Sequence, residues 1–373
     1  MLKEVVIAKL QRIALPTVAV TLLLLPQTKT TAQTGEPLGP LPALEPPNPA
    51  QVQLGKQLFF ETKLSGDGSM SCATCHVPTS VWTDGLPLSD AYPGSKYFRN
   101  TKTILNAVYA PFFYWDGRMG GTDKASQVRD AITETHFLNM DGRLMLERLK
   151  QIPEYVDMFK NAFGEQAEPS FGLTLDAIVA FERTLISKNV PFDTGKLSGR
   201  ARRGRTLFEG KAGCIRCHSG PYFSDGNAHN LGVPENPAIF DEPMRHMTYR
   251  SFMKSLGVPN YMNLRRDVGF FAVSKDKDDI GKFVTPTLRE VSRTGPYMHN
   301  GIFATLEDVI EFYDKGGGDD PQKSLLLTPL GLSGGEKRAL IAFLESLSGE
   351  DVVVVPPEPL EYQLIENWRQ VRN

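Results

Sequence analysis

The sequence predicts an all-α protein that contains two helical domains. Apolar residues recur at intervals of three and four positions in several segments, which is typical of helices with one buried face. The sequence has no series of segments with the alternating apolar and polar residues that would indicate a sheet. A chain of 373 residues suits about two domains of ordinary size. Pro191, Gly195 and Gly199 lie close together near the middle of the chain and are typical of a connector.

We therefore place the first domain at residues 51–190 and the second at 191–350, followed by a tail at 351–373. Helical spacing of apolar residues marks segments in both domains: 51–60, 125–134, 144–152 and 175–186 in the first, and 200–208, 305–314 and 333–348 in the second. Thr305 and Asp308 form a capping pattern at the start of one of these segments.

The N-terminal residues are typical of a secretory signal peptide. A basic start precedes an apolar stretch at 13–25, and small residues follow near position 32. We assign the signal peptide to 1–32. An uncleaved membrane anchor is the alternative, although the apolar stretch is short for a span. Frequent prolines at 33–50 indicate an extended linker. No later apolar run reaches the length of a membrane span, so we expect a periplasmic protein without one after signal removal.

The charge balance argues against a nucleic-acid partner. The chain has 43 acidic and 41 basic residues and a formal net charge of -2. A protein that binds nucleic acid usually has a basic excess. The hydrophobic fraction of 41% is ordinary for a soluble globular protein.

All four cysteines belong to two Cys-x-x-Cys-His motifs. The motif residues are Cys72, Cys75 and His76 in the first, and Cys214, Cys217 and His218 in the second. This spacing is the signature of c-type haem attachment. Two thiols three positions apart reach the two vinyl groups of one porphyrin, and the adjacent histidine reaches the iron. The motifs therefore predict two covalently bound haem c groups.

Other uses of the cysteines fit less well. An exported chain with four cysteines would ordinarily form two disulfides. A zinc site would need both pairs, which lie far apart in the sequence, and a redox dithiol would lie near a βαβ unit. The histidine directly after each pair favours haem over all three.

The first haem iron is expected to have an open face. The remaining histidines are His136, His229, His246 and His299. None of them lies between His76 and the segment at 115–118, so no nearby histidine offers itself as a second axial ligand. An iron with one protein ligand can bind peroxide, whereas a six-coordinate iron mainly carries electrons. A histidine or methionine from elsewhere in the chain could still close this face.

Further motifs resemble the bacterial di-haem cytochrome c peroxidases and their relative MauG, over residues 54–347. The matching segments are Arg99-Asn100-Thr101, Phe113-Tyr114-Trp115-Asp116-Gly117-Arg118, Phe223-Ser224-Asp225-Gly226, His229-Asn230-Leu231-Gly232, Thr285-Pro286-Thr287-Leu288-Arg289 and Gly295-Pro296-Tyr297-Met298-His299-Asn300-Gly301. The resemblance implies two cytochrome c-like helical domains with one haem each. It also implies reduction of hydrogen peroxide with electrons from a small periplasmic cytochrome c or cupredoxin.

The same resemblance implies roles for individual residues. Trp115 matches the tryptophan that relays electrons between the haems, although a tryptophan is more often a core residue. Asn100, Thr294 and Pro296 match the ligands of a calcium ion between the domains. Calcium favours such oxygen donors. Without the resemblance these three would be ordinary loop residues.

Tyr313 occupies the place where the peroxidases have an axial methionine and MauG has an axial tyrosine. The resemblance therefore implies that Tyr313 binds the second iron. A phenol oxygen favours the ferric and higher oxidation states, whereas a thioether favours the reduced state. The alternative is a tyrosine that packs a helix against the core.

Two positions depart from the family pattern. The family has a glutamine followed ten residues later by a glutamate that assists peroxide cleavage. Gln127 matches the glutamine, but Phe137 stands at the position of the glutamate. Glu134 or His136 could replace it if either reaches the peroxide oxygens. Ala212 stands where MauG has a tryptophan on its route to a protein substrate, so that route is not supported.

Three functions remain open at this stage. The first is peroxide reduction with electrons from a small donor. The second is a MauG-like oxidase that uses peroxide to modify a residue of a partner protein, which Tyr313 favours and Ala212 disfavours. The third is a non-enzymatic electron carrier, which would require protein ligands on both faces of both irons.

Overall fold

The computed structural model describes residues 36–362. The signal peptide predicted at 1–32 and the last part of the tail lie outside the described residues. Helices dominate the described chain: α1 Pro49–Phe60, α2 Cys72–Cys75, α3 Lys124–Thr133, α4 Gly142–Lys150, α5 Pro153–Phe163, α6 Phe171–Glu182, α7 Gly199–Glu209, α8 Ala238–Asp241, α9 Pro243–Ser255, α10 Phe271–Ser274, α11 Leu306–Asp314 and α12 Gly334–Glu345. None of these described helices is both long and apolar enough to cross a membrane.

Strands contribute little to the described residues. They are β1 Phe112–Phe113, β2 Met119–Gly120, β3 Ala228–His229 and β4 Phe283–Val284. β1 pairs antiparallel with β2, and β3 pairs antiparallel with β4. The prediction of a helical protein is confirmed.

The helices predicted from the sequence are present within a few residues of the expected bounds. The capping pattern at α11 is also present, because Thr305 Oγ1 accepts a hydrogen bond from Asp308 N at 3.1 Å and the Asp308 carboxylate accepts one from Thr305 N. Helices α5 and α9 were not predicted. Each begins with a proline at its first position, which is a helix-start signal that could have revealed them.

A close helix crossing organises each of two large apolar clusters. In the first cluster α1 packs on α6, and a β-carbon added at Gly55 would lie 1.8 Å from Ala177 O. In the second, α7 packs on α12, and a β-carbon at Gly204 would lie 1.9 Å from Ala339 O. Only glycine permits either approach. The two haem motifs therefore follow helices that are docked in the same way.

A third apolar cluster joins the two halves of the chain. Tyr97 and Phe98 from the first half pack with Tyr249, Phe252 and other residues of the second half. The centre of the Phe98 ring lies 5.3 Å from the centre of the Tyr249 ring and 5.3 Å from that of the Phe252 ring. The two halves on either side of the predicted domain boundary therefore share an apolar cluster.

The segment before α1 has no helix or strand from residue 36 to 48. It lies along both halves of the chain. Gly220 N donates to Glu36 O at 2.8 Å, Arg289 donates to Gly39 O at 3.0 Å, and Tyr109 donates to the Pro42 carbonyl.

Candidate functional site

The first motif forms a single helical turn, α2, which presents both thiols and the following histidine. His76 Nδ1 lies 3.0 Å from Trp82 O and can only donate to it, which leaves Nε2 free to bind a metal. Burial lowers the pKa of His76, so the ring is neutral, as a ligand must be. Burial raises the pKa of Cys72 and Cys75 to about 12, so both are neutral thiols.

The second motif repeats this arrangement in a 3-10 turn at Cys214–Arg216. His218 Nδ1 donates to Phe223 O at 3.1 Å, and burial again lowers the pKa of this histidine. Both accepting residues are in the left-handed region, with φ of 61° at Trp82 and 58° at Phe223. Left-handed non-glycine residues often persist at functional sites because the surroundings hold them. The residues of both motifs therefore fit a covalently attached haem with a histidine ligand.

A large cavity surrounds the second motif, with about 2000 Å³ of empty space including its open mouth. Cys214, Cys217, His218 and Tyr313 all line it. Tyr313 lies on α11, and burial raises the pKa of its phenol above the ordinary value, with the two cysteines adding to this shift. A phenolate at this position therefore needs a nearby cation, which a haem iron would supply.

The residues predicted to relay electrons and to bind calcium line the same cavity. They are Asn100, Trp115, Thr294 and Pro296. Trp115 Nε1 donates to Asn100 O at 2.9 Å, and the Lys102 ammonium lies 5.0 Å from the Trp115 ring centre. Asn100 Nδ2 donates to Leu86 O at 2.8 Å, so its side-chain oxygen is the atom left for a cation.

Glu134 and His136 come together at the end of α3, the helix that also carries Gln127. His136 Nδ1 lies 3.7 Å from Glu134 Oε2, and its ring stacks on Tyr97 at 5.2 Å. Burial, Arg118 and Arg99 lower the pKa of His136 to about 3, so this histidine is neutral at physiological pH. Burial and the neighbouring Asp130 raise the pKa of Glu134, so this carboxyl can hold a proton. Glu134 therefore suits acid-base chemistry better than His136 does.

A buried ionic network lies beside Trp115, and sequence reasoning did not find it. Arg99 donates to Asp267 through Nε at 2.6 Å and Nη2 at 2.8 Å, and to Asp116 through Nη1. Arg118 also donates to Asp116, at 3.1 Å. Burial opposes ionisation of Asp116, but Arg118 and Arg99 outweigh it and lower the pKa to about 2. Asp116 and Arg118, which follow Trp115 in the sequence, were a signal for part of this network, whereas nothing in the sequence marked Asp267.

Comparison with known proteins identifies the family. The family described as di-haem cytochrome c peroxidase matches residues 49–202. Cytochrome-c peroxidase IdrP2 of Denitromonas iodatirespirans is 47% identical over 330 residues, which are 87% of this chain and 88% of that protein. The chain belongs to the di-haem cytochrome c peroxidase and MauG family. Methylamine utilization protein MauG of Methylorubrum extorquens is 36% identical over 86% of this chain and 84% of its own.

A solved structure agrees with this membership. The chain matches a MauG-like protein associated with microbial copper homeostasis with a TM-score of 0.69 and 28% identity. The match covers 88% of this chain and 97% of the other.

Family membership confirms the resemblance and the coarse function expected from the sequence. The protein is a peroxidase-type oxidoreductase of a haem c family. This class removes the third hypothesis, a carrier without enzymatic activity. The individual site residues, calcium and cellular location stay predictions.

Proposed function

We propose that this protein is exported to the periplasm and reduces hydrogen peroxide with electrons from a small cytochrome c or cupredoxin. Two haem c groups would be attached, one at Cys72 and Cys75 and one at Cys214 and Cys217. The observation that carries the proposal is the matched pair of histidines, each of which donates from Nδ1 to a backbone carbonyl.

Haem, when bound, supplies a redox-active iron at which peroxide can accept two electrons. His76 and His218 would hold the two irons through Nε2. Trp115 lines the cavity of the second motif and is fixed by its hydrogen bond to Asn100, so it suits transfer between the two centres. The open face expected at the first iron makes that side the place where peroxide binds.

Glu134 would supply the proton that peroxide cleavage requires. Reduction of one hydrogen peroxide to two waters consumes two electrons and two protons. A carboxyl with a raised pKa can give a proton to the leaving oxygen and recover one from solvent. Its side chain is 35% exposed, which allows that recovery. His136 is neutral and lies 3.7 Å away, beyond hydrogen-bond distance of the carboxyl.

Tyr313 would be the second ligand of the second iron. It lines the cavity with His218, and its phenol has a raised pKa. Replacing it in Tyr313→Phe should change the absorption and resonance spectra of one haem only. Tyr313→Met is the matched variant, because a thioether should raise the reduction potential of the same haem. Unchanged spectra in both variants would remove this assignment.

A calcium ion would lie near Trp115, bound by the side chain of Asn100 and the backbone carbonyls of Thr294 and Pro296. All three line one cavity, and each offers the hard oxygen donor that calcium prefers. Calorimetric titration of chelator-treated protein should show one site, and Asn100→Ala should weaken it.

The decisive test is rapid mixing of purified protein with peroxide. Mass spectrometry should first find two haem adducts on the mature chain. Peroxide should then change the haem absorption spectra on mixing, and a reduced donor protein should restore the original spectra. A chain with both adducts and no spectral response to peroxide would refute the proposal.

A peroxide-dependent oxidase that modifies a partner protein is the second candidate. Its support is Tyr313 together with the relationship to proteins named MauG. Against it, Ala212 stands at the position of the MauG tryptophan and is buried, 5% exposed. Slow turnover of small donors, combined with a long-lived oxidised state, would favour this function over the first.

A further inference from the structure

The C-terminal tail crosses from the second apolar cluster to the first. Arg293 pairs with Asp351 at the start of residues 351–362, which we call the C-terminal strap. Val352, Val354 and Leu360 of the strap then pack against the first cluster.

Two hydrogen bonds hold the far end of the strap. One comes from α1, and the other comes from the short turn that directly follows α1. Gln57 Nε2 donates to Glu358 O at 2.9 Å. Lys63 Nζ donates to Leu360 O at 2.7 Å. The strap is therefore fixed at both ends.

Trp82 connects this strap to the first motif. The side chain is fully buried, and its Nε1 donates to Val352 O at 3.1 Å. The backbone oxygen of the same residue accepts the hydrogen bond from His76 Nδ1. Trp82 thus donates a hydrogen bond to the strap and accepts one from the histidine.

The backbone at Trp82 needs this support. Val81 and Trp82 are both left-handed, with φ of 53° and 61°. Bulky and β-branched residues rarely adopt this region, and they keep it only where neighbouring contacts hold them. The orientation of the Trp82 carbonyl toward His76 therefore depends on how firmly the indole is held.

The second motif achieves the same arrangement without an indole donor. Phe223 accepts from His218, but its side chain has no donor. Its ring packs among other rings and lies 5.6 Å from the Arg289 guanidinium carbon. Its ring contacts Phe192 at 5.3 Å and Phe208 at 6.3 Å. The molecule thus contains an internal comparison for the role of the indole donor.

We propose that Trp82 is a positioning residue through which the C-terminal strap sets the reduction potential of the first haem. The proposal rests on haem attachment at Cys72 and Cys75. A hydrogen bond from the distant nitrogen of a metal-bound histidine makes the ligand more basic and stabilises the oxidised metal. Weakening that bond raises the reduction potential, so the strap keeps the potential of the first haem low.

The test uses the full holoprotein and three variants. Trp82→Phe removes the indole donor and retains an aromatic ring beside Phe59 and Phe181. A chain that ends at Asp351 keeps the residue that pairs with Arg293 and lacks the rest of the strap, including Val352. A chain that ends at Tyr362 keeps every strap contact described above and is the matched control. Spectroelectrochemical titration gives the midpoint potential of each haem, and resonance Raman spectra give the iron–histidine stretch.

We expect a positive shift of the first haem's potential in Trp82→Phe and in the chain that ends at Asp351. The second haem and the control chain should not shift. The iron–histidine stretch of the reduced first haem should fall to lower frequency. Equal shifts of both haems, or no shift in Trp82→Phe, would overturn the proposal.

A second variant and one further measurement keep the result interpretable. Should the shorter chain not fold, Trp82→Phe decides alone. Mass spectrometry separates this inference from the proposed function, because a chain without haem at Cys72 and Cys75 contradicts the function itself. A chain with both haems and no selective shift contradicts only the role of the strap.

Discussion

Removing the guanidinium of Arg99 should destabilise the protein severely and reverse part of its pH dependence. Arg99 is 1% exposed in its side chain, and both carboxylate partners, Asp116 and Asp267, are fully buried. Arg99→Met keeps most of the side-chain volume but removes a cationic partner from both buried carboxylates. Breaking a buried ion pair on one side costs about 3–5 kcal/mol.

The two carboxylates should respond differently. Asp116 retains Arg118, whereas Asp267 retains only the hydrogen bond from Gly269 N, at 3.0 Å. In the native protein Arg99 outweighs burial and lowers the pKa of Asp267. A lowered folded-state pKa contributes stability that is present above the unfolded pKa and lost as the pH falls. In Arg99→Met, burial raises the pKa of Asp267 instead, so the variant should gain stability as the pH falls from neutral.

Urea unfolding of the holoprotein, followed by far-ultraviolet circular dichroism at several pH values, measures both effects. Arg143→Ala is the control, because Arg143 pairs with Asp141 on the surface, where the side chains are 93% and 51% exposed. That variant should unfold almost as the native protein does. A loss in Arg99→Met below about 1 kcal/mol, or the native pH dependence, would refute this account of the network.

Three further changes have expected outcomes. Gly55→Ala should cost about 1–3 kcal/mol in unfolding free energy, because its β-carbon would overlap Ala177 O, whereas Gly172→Ala, with open space around it, should gain about 0.4–1 kcal/mol. Glu134→Gln should lower peroxide turnover about 10²–10⁴-fold with both haems retained, and a smaller loss would return the acid-base role to another group. In the native enzyme, turnover should decline as the pH rises through the raised pKa of Glu134, and Glu134→Gln should not show that decline.

The sequence alone predicted those features that depend on residues close together along the chain. Both haem motifs are local, since each places two thiols and a histidine within five consecutive residues. The helical segments followed from the spacing of apolar residues. Among the longer helices, α5 and α9 were missed because their start signals were prolines, which also end helices.

The candidate site was only partly predictable. Tyr313 was singled out by its place in a family pattern, and its position in the cavity of the second motif agrees with that interpretation. Glu134 and His136 were left as equal alternatives for the acid-base role. Their opposite pKa shifts arise first from burial and then from Arg118, Arg99 and Asp130 around them, and both causes depend on how the chain packs.

The residues of the chain by themselves determined that the protein is helical and that two of its six histidines each follow a pair of thiols. Tertiary structure decided which groups support them. Arg99 meets Asp267 across 168 positions, and Trp82 meets Val352 across 270. Such contacts leave no periodic pattern, because the path of the intervening chain brings them together. Burial then makes them strong, since a paired charge or donor removed from water has no other partner.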